Sequence, residues 1–475
     1  MLTTRFTRVG LVALVAAATA ATGGSGAWAA KPSAKPSHGG GSNTGGSASF
    51  ASGQLQSQVV GSAGCGTNYA GEASIHVSKA NLVGLASEDG LGGGSEFWRG
   101  GSAADGCGLE YRGQPNAVGG FGASGGDVDT AIAPLAGTGG KYRLYVASLN
   151  LASINVATSI DDGATFTQTP VQGGIPVDDR EWIAAYGADT SLLTYHDAAT
   201  NNIDVLRSDN GGLLYNQIGT AIAPGDYRAS SNQLGNIVID HNSGTAGAFD
   251  AYQSFVAPSK DPGPTGIVLA NGYDEAFLAV SNDGGHSWTD KAIPCSTGWG
   301  GGLDHQFPNV SVSPSGQLWY TASNDKSIFV ATSPDKGSTW TCSGPVSSGA
   351  QAIEPWIVAG ATGEDLVYYA TPDAPQTKAN NTPQTWYVYF AQNLSTTDPF
   401  GFSSTQVLPV HRGAVCEGGV GCTGGRQLYD DFGVDTDQQG YAHIAYSHDA
   451  PDLGGSGTYT GYAKQLGGAA VGPPN

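Results

Sequence analysis

One eight-residue pattern, S-x-D-x-G-x-x-W/F, constrains the fold of this chain more than any other feature of its sequence. The pattern occurs three times, and its fixed positions are Ser159, Asp161, Gly163 and Phe166, then Ser281, Asp283, Gly285 and Trp288, then Ser333, Asp335, Gly337 and Trp340. A degenerate fourth copy spans 208–215, with Asn in place of Asp and Tyr in place of Trp. Three matches in one chain indicate internal repetition, which is typical of architectures built from one repeated structural unit.

The residue types of the pattern are those of a tight turn between two β-strands. Ser and Asp side chains can hydrogen-bond to backbone amides of the turn, Gly accepts a positive φ, and the aromatic ring can pack beneath. Upstream of the third copy, strand-like segments at 307–316, 318–322 and 328–332 are separated by turn residues. The pattern therefore marks the third turn of a four-stranded antiparallel unit.

Units of this kind recur along the chain and predict its architecture. They begin near residues 72, 129, 180, 233, 305, 354 and 430, and the first and the last two lack the turn pattern. Seven four-stranded units predict an all-β protein, a β-propeller with seven blades; six blades after an irregular N-terminal segment is the alternative. The last unit lacks an outer strand, which residues near 56–60 are expected to supply. The 74 Gly and 24 Pro residues supply the turns and exclude a mainly helical protein.

The N-terminal residues are predicted to precede the folded domain. Two arginines stand before an apolar run at 9–21, which is too short to span a bilayer, and small residues at 27–29 suit cleavage. Residues 1–30 are therefore interpreted as a secretory signal peptide, and the protein is expected to be secreted.

A flexible linker is predicted to follow the signal peptide. Residues 31–60 are rich in Pro, Lys, Gly and Ser, and a spacer is favoured over a wall anchor. The propeller domain is assigned to residues 61–475.

Six cysteines in an exported chain predict disulfide bonds. Proximity in the sequence favours the pairs Cys65–Cys107, Cys295–Cys342 and Cys416–Cys422, because each pair closes one local unit. A metal site is the weaker interpretation, because no C-x-x-C spacing and no nearby pair of histidines accompanies these cysteines.

The charge balance excludes some classes of partner. Asp and Glu number 40 against 20 Lys and Arg, which gives a formal net charge of −20. An acidic surface disfavours nucleic acid and anionic membranes as partners. Beyond the N-terminal run, no stretch is long and apolar enough for a membrane helix. The expected partner is an extracellular glycan or protein, and the chain is expected to be a monomer.

The turn pattern resembles the Asp-box (BNR) repeat of the sialidase-like β-propeller superfamily. Three further segments, beginning at Arg180, Glu354 and Cys416, resemble secreted bacterial proteins of exo-α-sialidase-like type. The likeness covers roughly residues 70–466. It implies the propeller fold but not the activity, because Asp boxes are structural and also occur in binding propellers, in receptors and in other glycosidases.

Polar residues precede the innermost strand of several units, where they would line the mouth of the central channel. The candidate site residues are Asp179, Arg180, Glu181, Glu354, Arg426, Tyr429 and Asp430, with Asp127 and Asp129 beside another inner strand. Carboxylates that share a channel can act as general acid and base. They can also hold a hard cation such as Ca²⁺, or simply face channel water. The sequence requires no cofactor and allows calcium.

The resemblance to sialidases implies a more specific site, which this sequence matches only in part. It implies three arginines on the substrate carboxylate, a Tyr nucleophile with a Glu partner, and an Asp as acid and base. Arg180 and Arg426 are the best candidates for binding this carboxylate, and Arg228 or Arg412 is the candidate for the third arginine. By this resemblance Tyr429 is the nucleophile, Asp179 the acid, and Glu181 or Glu354 the partner of the tyrosine.

The Arg-Ile-Pro motif that the family carries before its first box is absent from this chain. The sequence therefore favours a secreted propeller that binds a glycan or protein ligand at its channel face. Whether the protein is an enzyme stays open, and a glycoside hydrolase of exo-α-sialidase-like type is the alternative function.

Overall fold

The computed structural model describes residues 47–475, except 91–92, 121–125, 151–152, 172–177, 264–271, 304–306, 373–383, 417–421, 423–426, 431, 450–452 and 454–456. The predicted signal peptide, the linker up to residue 46 and the candidate Arg426 lie outside the described residues. All secondary structure given below belongs to the described part of the chain.

Strands of the described chain form seven four-stranded antiparallel sheets, so the predicted seven-bladed β-propeller is confirmed. The first strand, β1 (Ser49–Gln54), belongs to the last blade. Blade 1 contains β2 (Gly71–Val77), β3 (Leu82–Glu88), β4 (Ser95–Gly101) and β5 (Glu110–Gly113); blade 2 contains β6 (Val128–Ile132), β7 (Leu144–Asn150), β8 (Ser153–Ser159) and β9 (Thr167–Val171). Blade 3 contains β10 (Asp178–Tyr186), β11 (Thr190–Asp197), β12 (Ile203–Ser208) and β13 (Asn216–Thr220); blade 4 contains β14 (Gln233–Ile239), β15 (Ala251–Ala257), β16 (Glu275–Ser281) and β17 (Thr289–Ile293).

The remaining blades follow the same plan. Blade 5 contains β18 (Asn309–Val312), β19 (Leu318–Ser323), β20 (Ile328–Ser333) and β21 (Thr341–Cys342); blade 6 contains β22 (Gln351–Ala359), β23 (Glu364–Thr371), β24 (Thr385–Asn393) and β25 (Ser403–Arg412); blade 7 contains β26 (Gly433–Thr436), β27 (Ala442–His448) and β28 (Tyr459–Gly467), with β1 at its outer edge. Short 3-10 helices occupy Pro115–Gly120, Tyr227–Ser230 and Pro294–Trp299. Among the described residues, none of the helices has the length and apolar character needed to cross a membrane.

The ring is closed by β1, which pairs antiparallel with β28. The expectation that residues near 56–60 complete the last blade is therefore wrong, and the folded part begins inside the predicted linker 31–60. Phe50 of β1 packs edge-on against Phe390 of blade 6, with ring centroids 5.1 Å apart. Residues 56–60 instead lie against blade 1, where Trp98 Nε1 donates a hydrogen bond to Gln56 O at 2.7 Å.

The repeated turns share one hydrogen-bond network. In the copy at 281–288, Ser281 Oγ accepts from Gly285 N at 2.9 Å and donates to Asp283 Oδ1 at 2.8 Å. Asp283 also accepts from the amide and hydroxyl of Ser287, at 2.9 and 2.6 Å, and Gly285 has a φ of 93°. The copies at 159–166 and 333–340 repeat these bonds. The hydroxyl at the seventh position, a Thr or Ser, thus belongs to the network in each full copy.

The three predicted disulfide pairs are present. Cys65–Cys107 ties the segment that follows β1 to blade 1. Cys295–Cys342 joins the 3-10 helix after blade 4 to β21, the outer strand of blade 5. Cys416–Cys422 closes a short loop between blades 6 and 7. Two of the bonds therefore fix neighbouring structural units to each other.

The hydrophobic core lies between adjacent blades. One cluster, for example, joins Trp182 and Leu192 of blade 3 to Ile237 and Phe255 of blade 4. The inner strands surround a cavity of about 150 Å³ whose wall is mostly aliphatic, with His76 and Asp435 among its polar members. Such interblade packing holds the inner strands rigidly, and their first residues define the channel mouth.

Candidate active site at the channel mouth

Four inner strands, β2, β10, β14 and β22, have a β-bulge near their first residues, and three of these bulges contain a charged residue with a left-handed backbone. The pairing register shifts in β2, β10 and β22, and within each shift one charged residue has a positive φ: Glu72 (57°), Arg180 (43°) and Glu354 (52°). Bulges re-aim side chains, and a left-handed backbone at a residue other than Gly is strained. Because strain of this kind concentrates at functional sites, the bulges locate the candidate site at the channel mouth.

Arg180 and Glu72 form an ion pair at the centre of this mouth. Arg180 Nη1 donates a hydrogen bond to Glu72 Oε1, and the two side chains are 2% and 0% exposed. Asp127, just before β6, accepts a hydrogen bond from the Arg180 amide at 3.0 Å, and its Oδ1 lies 3.9 Å from Nη1. Residues of blades 1, 2 and 3 thus converge on one guanidinium group.

The guanidinium group of Arg180 also rests on aromatic rings. Its Cζ lies 3.9 Å from the ring centroid of Trp182 and 4.9 Å from that of Phe307. The Trp182 ring in turn lies 5.4 Å from Trp356 of blade 6. Cation–π attraction stabilises the guanidinium there, and the rings exclude water from the ion pair.

Carboxyl groups crowd around the ion pair. Glu72, Glu88 and Asp127 each offer an oxygen within 4.8 Å of the other two, and all three residues are buried. Burial, then the charge of Asp127, raises the pKa of Glu72 well above its ordinary value, although Arg180 acts to lower it. Burial and the neighbouring carboxylates therefore outweigh the Arg180 guanidinium in their effect on this pKa.

Glu181, next to Arg180 on β10, is fully buried. Neither of its carboxyl oxygens has a hydrogen-bond partner among the described residues. Burial, followed by the charge of Asp127, raises the pKa of Glu181 well above its ordinary value. A buried carboxyl group with a strongly raised pKa is a candidate acid for chemistry.

Of the other predicted site residues, three are buried or packed at this mouth. Asp430 is buried, and its charge helps to raise the pKa of Glu72. The ring of Tyr429 lies against Gly71, where a Cβ would come within 2.6 Å of the ring. Glu354 is 2% exposed in the bulge of β22. Asp179 is exposed, so it does not belong to the buried group.

The arginines proposed as third members of a carboxylate clamp lie elsewhere. Arg228 Nε donates to Asp226 at 2.8 Å, and its guanidinium also lies 3.8 Å from Asp290 on the outer strand of blade 4. Arg412 ends β25, the outer strand of blade 6. Among the described arginines, only Arg180 is therefore part of this buried group, and Glu72 and Asp127 already compensate its charge.

Sequence reasoning missed two members of the group, Glu72 and Glu88. Glu72 stands at the start of the first unit, as Arg180 does in the third, so alignment of the inner strands alone would have indicated it. Glu88 gives no such signal. It ends β3 and reaches the mouth because it pairs with Gly71 in the neighbouring strand.

Comparisons with known proteins show the fold. No protein-family model matches this chain, and no curated protein matches it. The structure is similar to that of a GH74 enzyme from Niastella koreensis, with a TM-score of 0.50, 15% identity, and coverage of 85% of this chain and 53% of that chain. A GH74 xyloglucanase from Xanthomonas campestris has a TM-score of 0.49 and 14% identity. The match covers 87% of this chain and 55% of that chain.

An α-L-arabinofuranosidase from Fusarium graminearum gives a TM-score of 0.43 at 11% identity, over 88% of this chain and 98% of that chain. The present chain thus spans about half the length of the two GH74 proteins. At these identities the likeness shows a shared fold alone.

Proposed function

We propose that the channel mouth binds a neutral glycan. The observation that supports this is the convergence of buried carboxyl groups on Arg180, whose charge Glu72 compensates. Sugar hydroxyl groups can donate to carboxylates and accept from protonated carboxyl groups, and aromatic rings at the mouth suit sugar faces. A polar group set on an otherwise apolar channel is the usual design of a small-ligand site.

The same charges argue against an anionic sugar as ligand. A carboxylate clamp needs guanidinium groups free to make bidentate bonds. Arg180 is bonded to Glu72, and Arg228 is bonded to Asp226. Neither of these two guanidinium groups is therefore free for a sialic acid carboxylate, and sialidase-like activity is the less favoured form of the proposal.

Binding is tested by calorimetry on the purified protein. Xyloglucan and arabinan oligosaccharides are the first ligands, because the fold neighbours named above are a xyloglucanase and an arabinofuranosidase. We expect Glu354→Gln and Tyr429→Phe to weaken binding at least tenfold. Asp335→Asn is the matched control, because it lies in the turn between β20 and β21, at the opposite end of the blade. A glycan array on which the protein binds no neutral glycan would overturn the proposal.

Glycoside hydrolysis is a second candidate function, favoured by one specific observation. Two carboxyl groups in different protonation states are what general acid and base catalysis at a glycosidic bond requires. Glu181 has a raised pKa beside Asp127, which hydrogen-bonds to the Arg180 amide. In this scheme the Glu181 carboxyl group donates a proton to the glycosidic oxygen, and a neighbouring carboxylate assists water or attacks the sugar carbon.

The catalytic version is tested separately from binding. Reducing-sugar release is measured on each glycan that binds, and on a fluorogenic sialoside, for which we expect no release. Glu181→Gln should abolish hydrolysis while it leaves glycan affinity within about threefold. If a glycan binds but is never cleaved, the binding proposal stands and the catalytic proposal is contradicted.

Secretion is part of the proposed function. It rests on the predicted signal peptide 1–30 and on the three disulfide bonds, which form in oxidising compartments. N-terminal sequencing of protein from the culture medium should find a start close to residue 30. Protein retained in the cytoplasm with its first residues intact would contradict this part.

A further inference from the structure

We propose that Tyr69 and Tyr459 form an aromatic platform beside the channel mouth, and that this platform binds a neutral sugar residue of the glycan just outside the mouth. The inference rests on the glycan function proposed above and adds a second subsite to it. The two ring centroids lie 6.4 Å apart, and the rings are inclined to each other by 45°. The platform is therefore a shallow corner and not one flat face.

Both tyrosines lie at the mouth end of the propeller. Tyr459 is the first residue of β28 and pairs with His448, the last residue of β27. Because β27 runs antiparallel to β26, this pair lies at the end of blade 7 where its inner strand begins. Tyr69 comes two residues before Gly71, the first residue of β2, the inner strand of blade 1. The two rings thus meet where blades 7 and 1 adjoin at the mouth.

The platform is continuous with the candidate site. A Cβ at Gly71 would come within 2.6 Å of the Tyr429 ring and within 2.9 Å of Thr458 Cγ2, so Gly71 lies between the mouth and the segment that leads into β28. The next residue, Glu72, donates a hydrogen bond from its amide to Ser447 Oγ of β27 at 2.9 Å. A glycan bound at the mouth would therefore extend over the platform.

Tyr69 is exposed although the backbone beside it is firmly held. Its side chain is 73% exposed, whereas the preceding residue, Asn68, is fully buried. The side-chain amide of Asn68 donates to Leu55 O at 2.6 Å and to Thr460 O at 2.9 Å, and its Oδ1 accepts from Thr460 N at 2.8 Å. A ring presented on such a fixed segment loses little conformational entropy on binding, which is what a preorganised ligand site requires.

The ring of Tyr459 is supported by other rings of blade 7. Its centroid lies 5.9 Å from that of His448, which is buried and lies 5.6 Å from the ring of Tyr446. Tyr459 itself is half-buried. The ring therefore packs on the blade and keeps part of its surface open to a ligand.

The open geometry of the platform favours a sugar over other ligands of aromatic rings. The C–H face of a sugar packs on an aromatic ring, and the tyrosine hydroxyl group can bond to sugar hydroxyl groups. A quaternary ammonium group is bound by rings that enclose it and exclude water, whereas Tyr69 is mostly exposed. A stable protein interface needs about 800 Å² on each side, and the neighbouring Thr67, Gly457 and Thr458 are small and add little apolar area. The net charge of −20 disfavours an anionic sugar.

Calorimetry with oligosaccharides of two lengths tests the platform. The probes are the disaccharide and the hexasaccharide of arabinan and of the glucan backbone of xyloglucan, or those of another neutral glycan that the array identifies. We expect Tyr69→Ala and Tyr459→Ala each to weaken hexasaccharide binding about tenfold and disaccharide binding less than about twofold, because only the longer ligand reaches the platform. Tyr69→Phe keeps the ring and should bind the hexasaccharide within about threefold of wild type.

Two further variants separate the platform from the mouth and from a general loss of structure. Glu354→Gln, at the mouth itself, should weaken binding of both lengths. Tyr441→Ala is the matched control, because Tyr441 is a half-buried tyrosine at the opposite end of blade 7, in the turn between β26 and β27, and both lengths should bind it as they bind wild type. The melting temperature of Tyr69→Ala should equal that of wild type, because the side chain is exposed.

The outcomes distinguish failure of the platform from failure of the proposed function. If the hexasaccharide binds wild type and neither Tyr69→Ala nor Tyr459→Ala weakens it, the platform is overturned while glycan binding at the mouth stands. If no neutral glycan binds wild type, both proposals are overturned. Saturable binding of choline that the two alanine variants abolish would make the platform a cation site and overturn its assignment to a sugar.

Discussion

Arg180 of blade 3 and Glu72 of blade 1 form an ion pair across the mouth of the channel, 108 residues apart in the sequence. Both side chains are buried, and the blade between them contributes Asp127 to the same guanidinium. The pair therefore connects the first, second and third blades at the point where function is proposed.

The first prediction concerns the stability of this pair. Arg180→Met should lower the free energy of unfolding by about 3–5 kcal/mol, because it leaves the Glu72 carboxyl group buried without its counter-charge. Glu72→Gln combined with Arg180→Met should recover a substantial part of that loss. Urea unfolding of the single and double variants measures both effects. A double variant that is no more stable than Arg180→Met would contradict this account.

The sequence predicted those features that depend on local signals. The blade count follows from turn chemistry repeated at 159, 281 and 333, and the disulfide pairs follow from proximity along the chain. Arg180 and Glu354 were identified because each directly precedes an apolar inner strand. In all of these cases the signal lies within a short stretch of sequence, although two of the disulfide bonds join neighbouring structural units.

The features that the sequence did not predict depend on distant contacts. Glu72 meets Arg180 only because the ring brings blades 1 and 3 together. The closing strand β1 reads SFASGQ, a composition typical of a linker. It becomes a strand because β28 presents an open edge to it and because Phe50 packs on Phe390. Neither partner can be identified from the segment itself.

The second prediction concerns the pH dependence of stability. Glu96 of β4 is buried, and burial, with the charge of Asp89, raises its pKa from 4.5 to about 8. The folded state therefore holds a proton that the unfolded state releases above about pH 4.5, so this contribution to stability is lost as the pH rises toward 8. Glu96→Gln should remove that loss, which is on the order of 5 kcal/mol at about 1.4 kcal/mol per pKa unit.

The measurement is urea unfolding of wild type and Glu96→Gln at several pH values between about 5 and 9. The difference in the free energy of unfolding should grow in favour of the variant as the pH rises. Asp283→Asn supplies a control whose effect on stability should depend on pH in the opposite direction. Although burial acts to raise it, hydrogen bonds from Ser287 and Ser281 keep the pKa of Asp283 below its ordinary value. Its replacement should destabilise the protein at neutral pH and have less effect in acid. If the free energy of unfolding depends on pH in the same way in Glu96→Gln and in wild type, the pKa of Glu96 is not raised in the folded protein.

The third prediction ranks two of the disulfide bonds. Cys65–Cys107 spans 42 residues and Cys416–Cys422 spans 6. Each bond lowers the entropy of the unfolded chain, and the resulting stabilisation of the folded protein is about 4 kcal/mol for the first bond and about 2 kcal/mol for the second. Paired Cys→Ser variants should follow this order in thermal unfolding. Loss of Cys65–Cys107 should also expose residues 55–70 to limited proteolysis, because that bond ties the segment to blade 1; equal resistance in both variants would count against it.

The last prediction is that the degenerate turn at 208–215 can be repaired. Its Ser208 and Asn210 make the bonds to Gly212 N and Leu214 N that the full copies also have, at 2.9 and 3.1 Å. What it lacks is the hydroxyl donor at the seventh position, where the full copies have Thr165, Ser287 and Thr339.

Asn210→Asp together with Leu214→Thr should supply that charge-assisted bond and remove an exposed Leu, so we expect a gain of about 0.5–1.5 kcal/mol in thermal unfolding. Leu214→Thr alone should gain less, because an amide accepts the bond more weakly than a carboxylate does. Ser208→Ala is the control in the other direction: it leaves the buried Gly212 amide without its acceptor and should cost about 1–3 kcal/mol. A repaired turn that is no more stable than Leu214→Thr would show that the carboxylate at position 210 adds nothing to the amide as an acceptor, and Leu214→Thr no more stable than wild type would show the same of the seventh-position hydroxyl.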